Sequence, residues 1–158
     1  MPAPDFKTYL DHYVALLGTK LSPVPGKVFV QPGDEVAWDQ CDCDGQAWAK
    51  IVTATPIVGT RKANGVACVE WWDITFAVGV LRCVKSPQTA AGGKVRLPTA
   101  AQITADGHKF ADDMVALMTM IECDQYVRQI TQANPLGPQG GCAGSEVQFI
   151  VRVQPCCD

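Results

Sequence analysis

The chain has 158 residues, of which 47% are hydrophobic and 18% are charged, and its formal net charge is −3 at pH 7. This length predicts a single domain over residues 1–158 with one apolar core, because two cores of ordinary size need a longer chain. The acidic balance, with a pI near 5.3, excludes the broad basic surface with which most nucleic-acid-binding proteins displace counterions.

The start of the chain and its hydropathy predict neither a secretory leader nor a membrane span. Met1 to Phe6 contain no basic region followed by an apolar run, and no window reaches about 18 uninterrupted apolar residues. We therefore expect the chain to be made in the cytosol and to stay there unless a partner carries it out.

The first predicted element is an amphipathic helix over residues 4–17. Its apolar residues recur at i, i+3, i+4 and i+7, and Gly18 follows the last of them. They are Phe6, Tyr9, Leu10, Tyr13, Val14 and Leu17. Pro23 and Pro25 prevent the helix from continuing, and Lys27 to Val30 predict a short strand.

Two further strands are predicted over residues 35–38 and 46–53, on either side of a turn that contains Cys41, Cys43 and Gly45. The aspartates of this turn are typical of side chains that bond the backbone of their own turn. The longest predicted strand covers about residues 67–84. Large apolar side chains alternate there with small or polar ones, so one face of this strand must be covered.

The predicted cover is a long helix over residues 99–124, which opens with the candidate capping box Thr99 to Gln102. Residues 125–144 predict a loop, because they are rich in glycine and proline, and a last strand alternates from Val147 to Val153. The expected core consists of large apolar residues from both helices and the long strand: Tyr9, Tyr13, Trp72, Phe76, Val78, Phe110, Met114, Leu117 and Ile121.

The order of these elements predicts the α+β class. Strands that are grouped in sequence and helices that are separate from them favour a mixed or antiparallel sheet with both helices packed on one face. Long loops are expected at residues 85–97 and 133–145, and such loops often carry function on a rigid scaffold. We expect at least one of them to become ordered only against a neighbouring subunit.

The residues that could carry chemistry do not converge on an active site, and we expect no catalytic residue, metal or cofactor. Cys41 and Cys43 are one residue too close for the usual zinc knuckle. A cysteine hydrolase needs a histidine beside its thiol, whereas His12 and His108 both lie on predicted helices beside solvent-facing neighbours. Asp112 and Asp113 are adjacent on a helix, which points them apart, so a solvated face is the expected role of this pair.

Other residues are candidates for contacts rather than for catalysis. Trp71 and Trp72 are adjacent in one strand, so they face opposite sides of the sheet and only one can enter the main core. We take Trp71 as an interface candidate. Arg82 and Arg152 interrupt apolar strand ends and are candidates for an interface or for a ring lumen. The candidate disulfide cysteines are Cys41, Cys43, Cys68, Cys83 and Cys142.

Several short motifs together resemble a known family. They are Pro32-Gly33, Trp38-Asp39-Gln40-Cys41, Gly45-Gln46-Ala47-Trp48, Val78-Gly79-Val80-Leu81-Arg82-Cys83, Asp113-Met114, Ile121-Glu122-Cys123 and Gly140-Gly141-Cys142-Ala143-Gly144. Over residues 26–155 this set looks like the small neck proteins of long-tailed phages that infect actinobacteria, and it most resembles their tail terminators.

The resemblance implies a structural virion protein, assembled in the host cytoplasm and located in the neck between head and tail. Such a protein forms a ring, usually a hexamer, that caps the last ring of the tail tube. Its partners are further copies of the same chain, the tail-tube protein and the head-side connector or stopper protein. DNA passes through the lumen of the ring without specific binding, and the family has no catalytic residues to transfer to this chain.

Two alternatives remain open at this point. A head-completion connector or a tube-related subunit belongs to the same structural class. A thiol-dependent or zinc-dependent enzyme belongs to a different class, and a monomer with one zinc ion per chain would favour it over the ring.

Overall fold

The computed structural model describes residues 5–33, 35, 44–59, 69–139 and 141–154. The predicted strand at 35–38 and the turn with Cys41 and Cys43 lie mostly outside these residues, as does Cys68. The described elements, in chain order, are α1 (Phe6–Lys20), β1 (Lys27–Val30), β2 (Gln46–Val58), β3 (Val69–Cys83), β4 (Gln88–Thr89), β5 (Val95–Arg96), α2 (Ala100–Glu122), β6 (Val127–Gln139) and β7 (Cys142–Val153).

The described strands form a mixed five-stranded sheet in the order β1-β2-β3-β7-β6, and β4 pairs with β5 in a separate two-stranded sheet. β1 runs parallel to β2, whereas the other neighbours in the large sheet are antiparallel. The α+β class and the mixed sheet are therefore confirmed. β3 occupies the central position of this sheet.

Both helices cover the same face of the sheet, which we call the helix face. Phe76 on β3 is paired in register with Phe149 on β7, and both are fully buried beneath Tyr13 of α1 and Leu117 of α2. The ring centroids of Tyr13 and Phe149 are 4.7 Å apart at an interplanar angle of 71°, the edge-to-face arrangement that aromatic rings favour. The core thus joins the two helices to the two central strands.

The core differs in part from the expected set. Tyr9, Trp72, Phe110 and Met114 are only partly buried, although Tyr9 and Trp72 do pack against the core. Several fully buried side chains are not in the expected set: Leu17, Trp48, Ile74, Val80, Leu81, Val147 and Phe149.

Helix α1 continues beyond its predicted end at residue 17. Asp5 caps its first turn by accepting a hydrogen bond from the Thr8 amide at 3.3 Å, and the helix passes through Gly18 to Lys20. Glycine inside a helix costs about 1 kcal/mol relative to alanine, which is small beside the burial of Leu17 and Leu21 on either side of it. Packing therefore outweighs the local helix-ending signal.

The predictions of a loop over residues 125–144 and of a long loop at residues 133–145 are wrong, because residues 127–139 form β6 and residues 142–153 form β7. β6 is hydrogen-bonded to β7 and to no other described strand, so it lies at an edge. Pro135 and Pro138 are tolerated because an edge strand can turn a position without an N–H donor away from its neighbour. Ile130 and Ala133 pack against the core. This packing stabilises the strand, although the polar composition of the segment does not predict one.

Candidate functional site

Arg82 lies at the end of β3 and is bound within its own chain. Its Nε donates to Asp113 Oδ2 at 2.6 Å and its Nη2 donates to Asp113 Oδ1 at 2.8 Å. Nη2 also donates to the carbonyl oxygen of Pro23 at 2.8 Å. The side chains of Arg82 and Asp113 are 12% and 5% exposed, so the described contacts of Arg82 are internal, and its proposed role at an interface or lumen stays a prediction.

Asp113 corrects the expectation of a solvated pair of aspartates on α2. Asp112 is exposed, whereas Asp113 is buried. Asp113 precedes the buried Leu117 by four residues and Met120 by seven, so it belongs to the buried stripe of the helix. This helical spacing is a signal in the sequence that could have placed Asp113 inside.

An open groove of about 800 Å³ borders the Arg82–Asp113 pair. Its wall mixes cationic and acidic side chains, including Lys85, Lys109, Asp106 and Asp112. The backbone amide of Lys85 donates to Asp106 Oδ2 at 2.8 Å. The carboxylate of Asp106 therefore holds the segment that follows β3. The groove therefore presents no surface of uniform charge to a ligand.

Arg152 is far from Arg82 in the sheet. It lies on β7 opposite Asp73 of β3, near the end where Trp72 pairs with Val153, whereas Arg82 lies where Cys83 pairs with Cys142. Arg152 donates from Nε and Nη2 to the two carboxylate oxygens of Asp73, both at 2.7 Å. The two candidate arginines thus mark opposite ends of the sheet and do not form one site.

Trp71 and Trp72 face opposite sides of β3, as the strand geometry predicts. Trp72 packs against the core on the helix face. Trp71 is paired in register with Ile57 and lies on the opposite face, where it is partly buried. Its candidacy as an interface residue remains a prediction.

A buried polar cluster on the face of the sheet opposite the helices was missed by the sequence reasoning. Glu146 Oε2 lies 3.0 Å from Lys50 Nζ and accepts a hydrogen bond of 3.3 Å from Trp48 Nε1. The side chain of Gln148 donates to Glu146 Oε1 at 3.2 Å. Trp48 lies over Gly79, where a Cβ would come within 2.2 Å of the indole, so the glycine makes room for the ring.

His12 also departs from expectation, because it is not a solvated surface residue. Its Nε2 pairs with Asp124 Oδ2, and its ring makes edge contacts with Tyr13 and Tyr126. Burial raises the pKa of the Tyr13 phenol, and the nearby negative charge of Asp124 raises that pKa further. The pair of His12 with Asp124 connects α1 to the turn after α2.

The three described cysteines are in two chemical states. Cys142 is buried and disulfide-bonded, whereas Cys83 and Cys123 carry thiols. Cys83, one of the candidate disulfide residues, is therefore a thiol in this structure. The candidates Cys41, Cys43 and Cys68 lie outside the described residues.

The segment between β3 and α2 projects from the fold, and we call residues 85–97 the arm. Each of its residues is exposed, and β4 and β5 pair over only two positions, Gln88 with Arg96 and Thr89 with Val95. Gly92 and Gly93 close the turn at φ of 89° and 76°, a region that favours glycine. Val95 and Leu97 are 62% and 69% exposed, so the arm presents aliphatic surface to solvent.

A second exposed apolar surface runs along α2, and we call it the α2 stripe. It consists of Ala111, Val115 and Met118, which follow each other at i, i+4 and i+7 on the side of the helix away from the sheet. Val115 is 63% exposed and Met118 is 38% exposed. Other large hydrophobic side chains in the described part of the chain are also exposed, namely Val24, Val30, Val58, Ile103 and Tyr126.

No protein-family model and no curated protein matches the chain. Neither described helix is long and apolar enough to cross a membrane. Among residues 5–33, 35, 44–59, 69–139 and 141–154, no three His, Cys, Asp or Glu side chains are grouped so that they could hold a metal ion.

Proposed function

We propose that this chain is a structural assembly protein of a phage neck, a tail terminator whose copies form a ring that caps the tail tube and joins it to the head connector. The resemblance of the motifs in residues 26–155 to such neck proteins supports the proposal. The resemblance implies the order helix, strands, long helix and strand, and the α+β fold has a similar order, with two strands after the long helix. In this proposal the protein acts through its surfaces and through assembly.

The observation that carries the proposal is the exposed apolar surface of the arm. A two-stranded hairpin is marginally stable in water by itself, yet this hairpin has no buried residue and exposes Val95 and Leu97. Exposed aliphatic groups of this kind are typical of surfaces that another protein covers. A protein that must contact both its own copies and a tube needs such surfaces.

The polar side chains that could suggest an enzyme are used for structure in the described part of the chain. Arg82 and Asp113 join β3 to α2, Lys50 and Glu146 pair on the sheet, and His12 contacts Asp124. Since these groups are already paired with one another, the geometry favours an assembly protein over a thiol-dependent hydrolase. A head-completion connector or a tube-related subunit remains the alternative within the same class.

The experiment is the growth of tail tubes with and without this protein. Purified tube subunits of the same phage are allowed to polymerise, and tube lengths are measured by electron microscopy. A terminator added at the start should shorten the tubes and leave a ring of extra density at one end. Tubes of unchanged length, with no protein bound at an end, would contradict the terminator function.

A deletion of the gene separates the terminator from the other neck roles. Loss of a terminator should leave filled heads and tails of abnormal length that do not join them, because the last tube ring keeps its polymerising surface. Loss of a head-completion protein should instead leave tails of normal length beside heads that have lost DNA. Normal joined particles would contradict both roles.

A further inference from the structure

Within the described part of the chain, every residue of the arm is exposed. Its internal backbone hydrogen bonds outside the two strand pairs are Ala90 N to Lys94 O at 2.8 Å and Gly93 N to Ala90 O at 3.1 Å. At its base, the Lys85 amide is held by Asp106. Because every residue from 85 to 97 is exposed, the arm buries little apolar surface to offset the entropy of ordering it.

The arm does not cover the α2 stripe of the same chain in this structure, because both surfaces are exposed. Leu97 is three residues before the start of α2 at Ala100, whereas Val115 and Met118 lie in the C-terminal half of the helix. A helix rises 1.5 Å per residue, so Val115 is about 22 Å along the axis from Ala100. The exposure of both surfaces agrees with this separation, because contact between them would bury both.

The charges around the two surfaces are complementary. The arm carries Lys85, Lys94 and Arg96 and contains no acidic residue. The α2 stripe is flanked by the exposed acids Asp112 and Glu122, one at each end. Long basic side chains bury their methylene groups along apolar surface while the charged ends reach polar groups beside it. A basic aliphatic arm therefore fits an aliphatic stripe with acidic ends.

We infer that the arm of one copy packs on the α2 stripe of the next copy, with Val95 and Leu97 against Val115 and Met118. This inference rests on the proposed function, since it assigns the contact that builds the ring. The contact is heterologous, because each copy gives its arm to one neighbour and its stripe to the other, and repetition of such a contact closes a ring when the rotation permits.

The test uses one variant in each surface and measures native mass. Leu97→Asp removes the apolar contact of the arm, and Val115→Asp removes that of the stripe. Each variant alone should raise the concentration needed for half-assembly about tenfold or more, because burial of one aliphatic side chain is worth about that factor. Each protein should therefore appear mainly as monomer where the wild-type chain forms a ring.

A mixture of the two variants distinguishes this contact from any other. The intact arm of Val115→Asp fits the intact stripe of Leu97→Asp, so one good contact forms and the mixture should give a one-to-one dimer and nothing larger. Val58→Asp is the matched control, because Val58 is 57% exposed but lies at the end of the sheet away from the arm. It should assemble like the wild type.

Far-UV circular dichroism and the Tm of each variant show whether it is folded, and Val95→Asp with Met118→Asp provides a second pair. Variants that assemble like the wild type would overturn the inference and leave a ring built by other surfaces. Monomeric variants whose mixture yields no dimer would also overturn it. A wild-type chain that forms no closed assembly would overturn the proposed function itself, and the inference with it.

Discussion

Arg82 holds together three segments that are distant in sequence. Through Asp113 and the carbonyl of Pro23 it joins the end of β3, the middle of α2 and the segment after α1. Because both charged side chains are largely removed from water, loss of one partner leaves the other charge buried and unpaired. The pair thus fixes the end of the sheet from which the arm projects.

We expect Asp113→Asn to lower the free energy of unfolding by about 3–5 kcal/mol, the usual cost of breaking a buried ion pair. Asp112→Asn is the matched control, since Asp112 is exposed, and it should change stability by less than about 0.5 kcal/mol. Replacement of both partners by Arg82→Met and Asp113→Leu should recover most of the loss. Urea unfolding measures all of these, and equal effects of the two asparagine variants would contradict a buried pair.

Tyr13 combines a fully buried ring with a hydroxyl that has no hydrogen-bond partner in the described part of the chain. A buried polar group without a partner costs about 1–3 kcal/mol. We therefore expect Tyr13→Phe to raise the free energy of unfolding by about that amount at pH 7. A loss of stability in urea unfolding would instead show that the hydroxyl has a partner.

The same residue predicts a pH dependence. A tyrosine in the unfolded chain titrates near pH 10, and burial raises the pKa of Tyr13 in the folded chain. Above pH 10 the folded state then holds more protons than the unfolded state, so stability is complete below that pH and falls as the pH rises. Tyr13→Phe should reduce this alkaline loss, which urea unfolding at a series of pH values measures, and an unchanged slope would contradict the raised pKa of Tyr13.

At the scale of elements, the start of helix α2 is fixed by hydrogen bonds in its first turn. The Thr99 side chain accepts a hydrogen bond from the Gln102 amide at 3.3 Å, and Gln102 Oε1 accepts one from the Thr99 amide at 2.9 Å. This reciprocal capping box satisfies two amides that have no partner inside the helix. It also fixes where the arm ends, because Thr99 directly follows Pro98.

We expect Thr99→Ala to lower the free energy of unfolding by about 1 kcal/mol, the usual effect of losing an N-cap side chain. Thr104→Ala is the matched control, because Thr104 is exposed within the same helix and alanine is the better helix former. The control should be neutral or slightly stabilising in thermal unfolding. A neutral Thr99→Ala would mean that the cap contributes nothing to the stability of the fold.

The elements that could be predicted from sequence are those in which the spacing of the apolar residues indicates which face is buried. β3, β7, α1 and α2 each carry a period of two or of 3.6 in their apolar residues, and each was located within a few residues except at the start of β7. β6 has no such pattern, because an edge strand tolerates Pro135 and Pro138, and only its pairing with β7 defines it. The two-residue strands β4 and β5 are too short to have a period.

The candidate site was harder to predict from the sequence than the fold, and the reason is physical. The pairs formed by Arg82 with Asp113 and by Lys50 with Glu146 join residues that are 31 and 96 positions apart, and no local pattern encodes such a partner. The helical spacing could have predicted that Asp113 lies in the buried stripe of α2, but the sequence could not predict that Arg82 is its partner. The arm was predicted as a long functional loop from its composition, and its exposure agrees with that interpretation.

At the scale of the whole molecule, the sheet is covered on its helix face by α1 and α2, and the arm leaves this layered body from one end. The arm is basic and aliphatic, and α2 offers an aliphatic stripe with acidic ends. The two surfaces differ from each other, which suits repeated heterologous contacts between copies better than a single symmetric contact. The account therefore depends on the oligomeric state of the protein.

The most direct test of that claim is the native mass of the purified wild-type chain, measured by native mass spectrometry together with analysis for bound metal. The account predicts one closed, metal-free species whose mass is an integral multiple of the 17.0 kDa chain, six-fold if the resemblance extends to the number of copies. A chain that remains at 17.0 kDa over the whole accessible concentration range, above all one that carries a zinc ion, would contradict it.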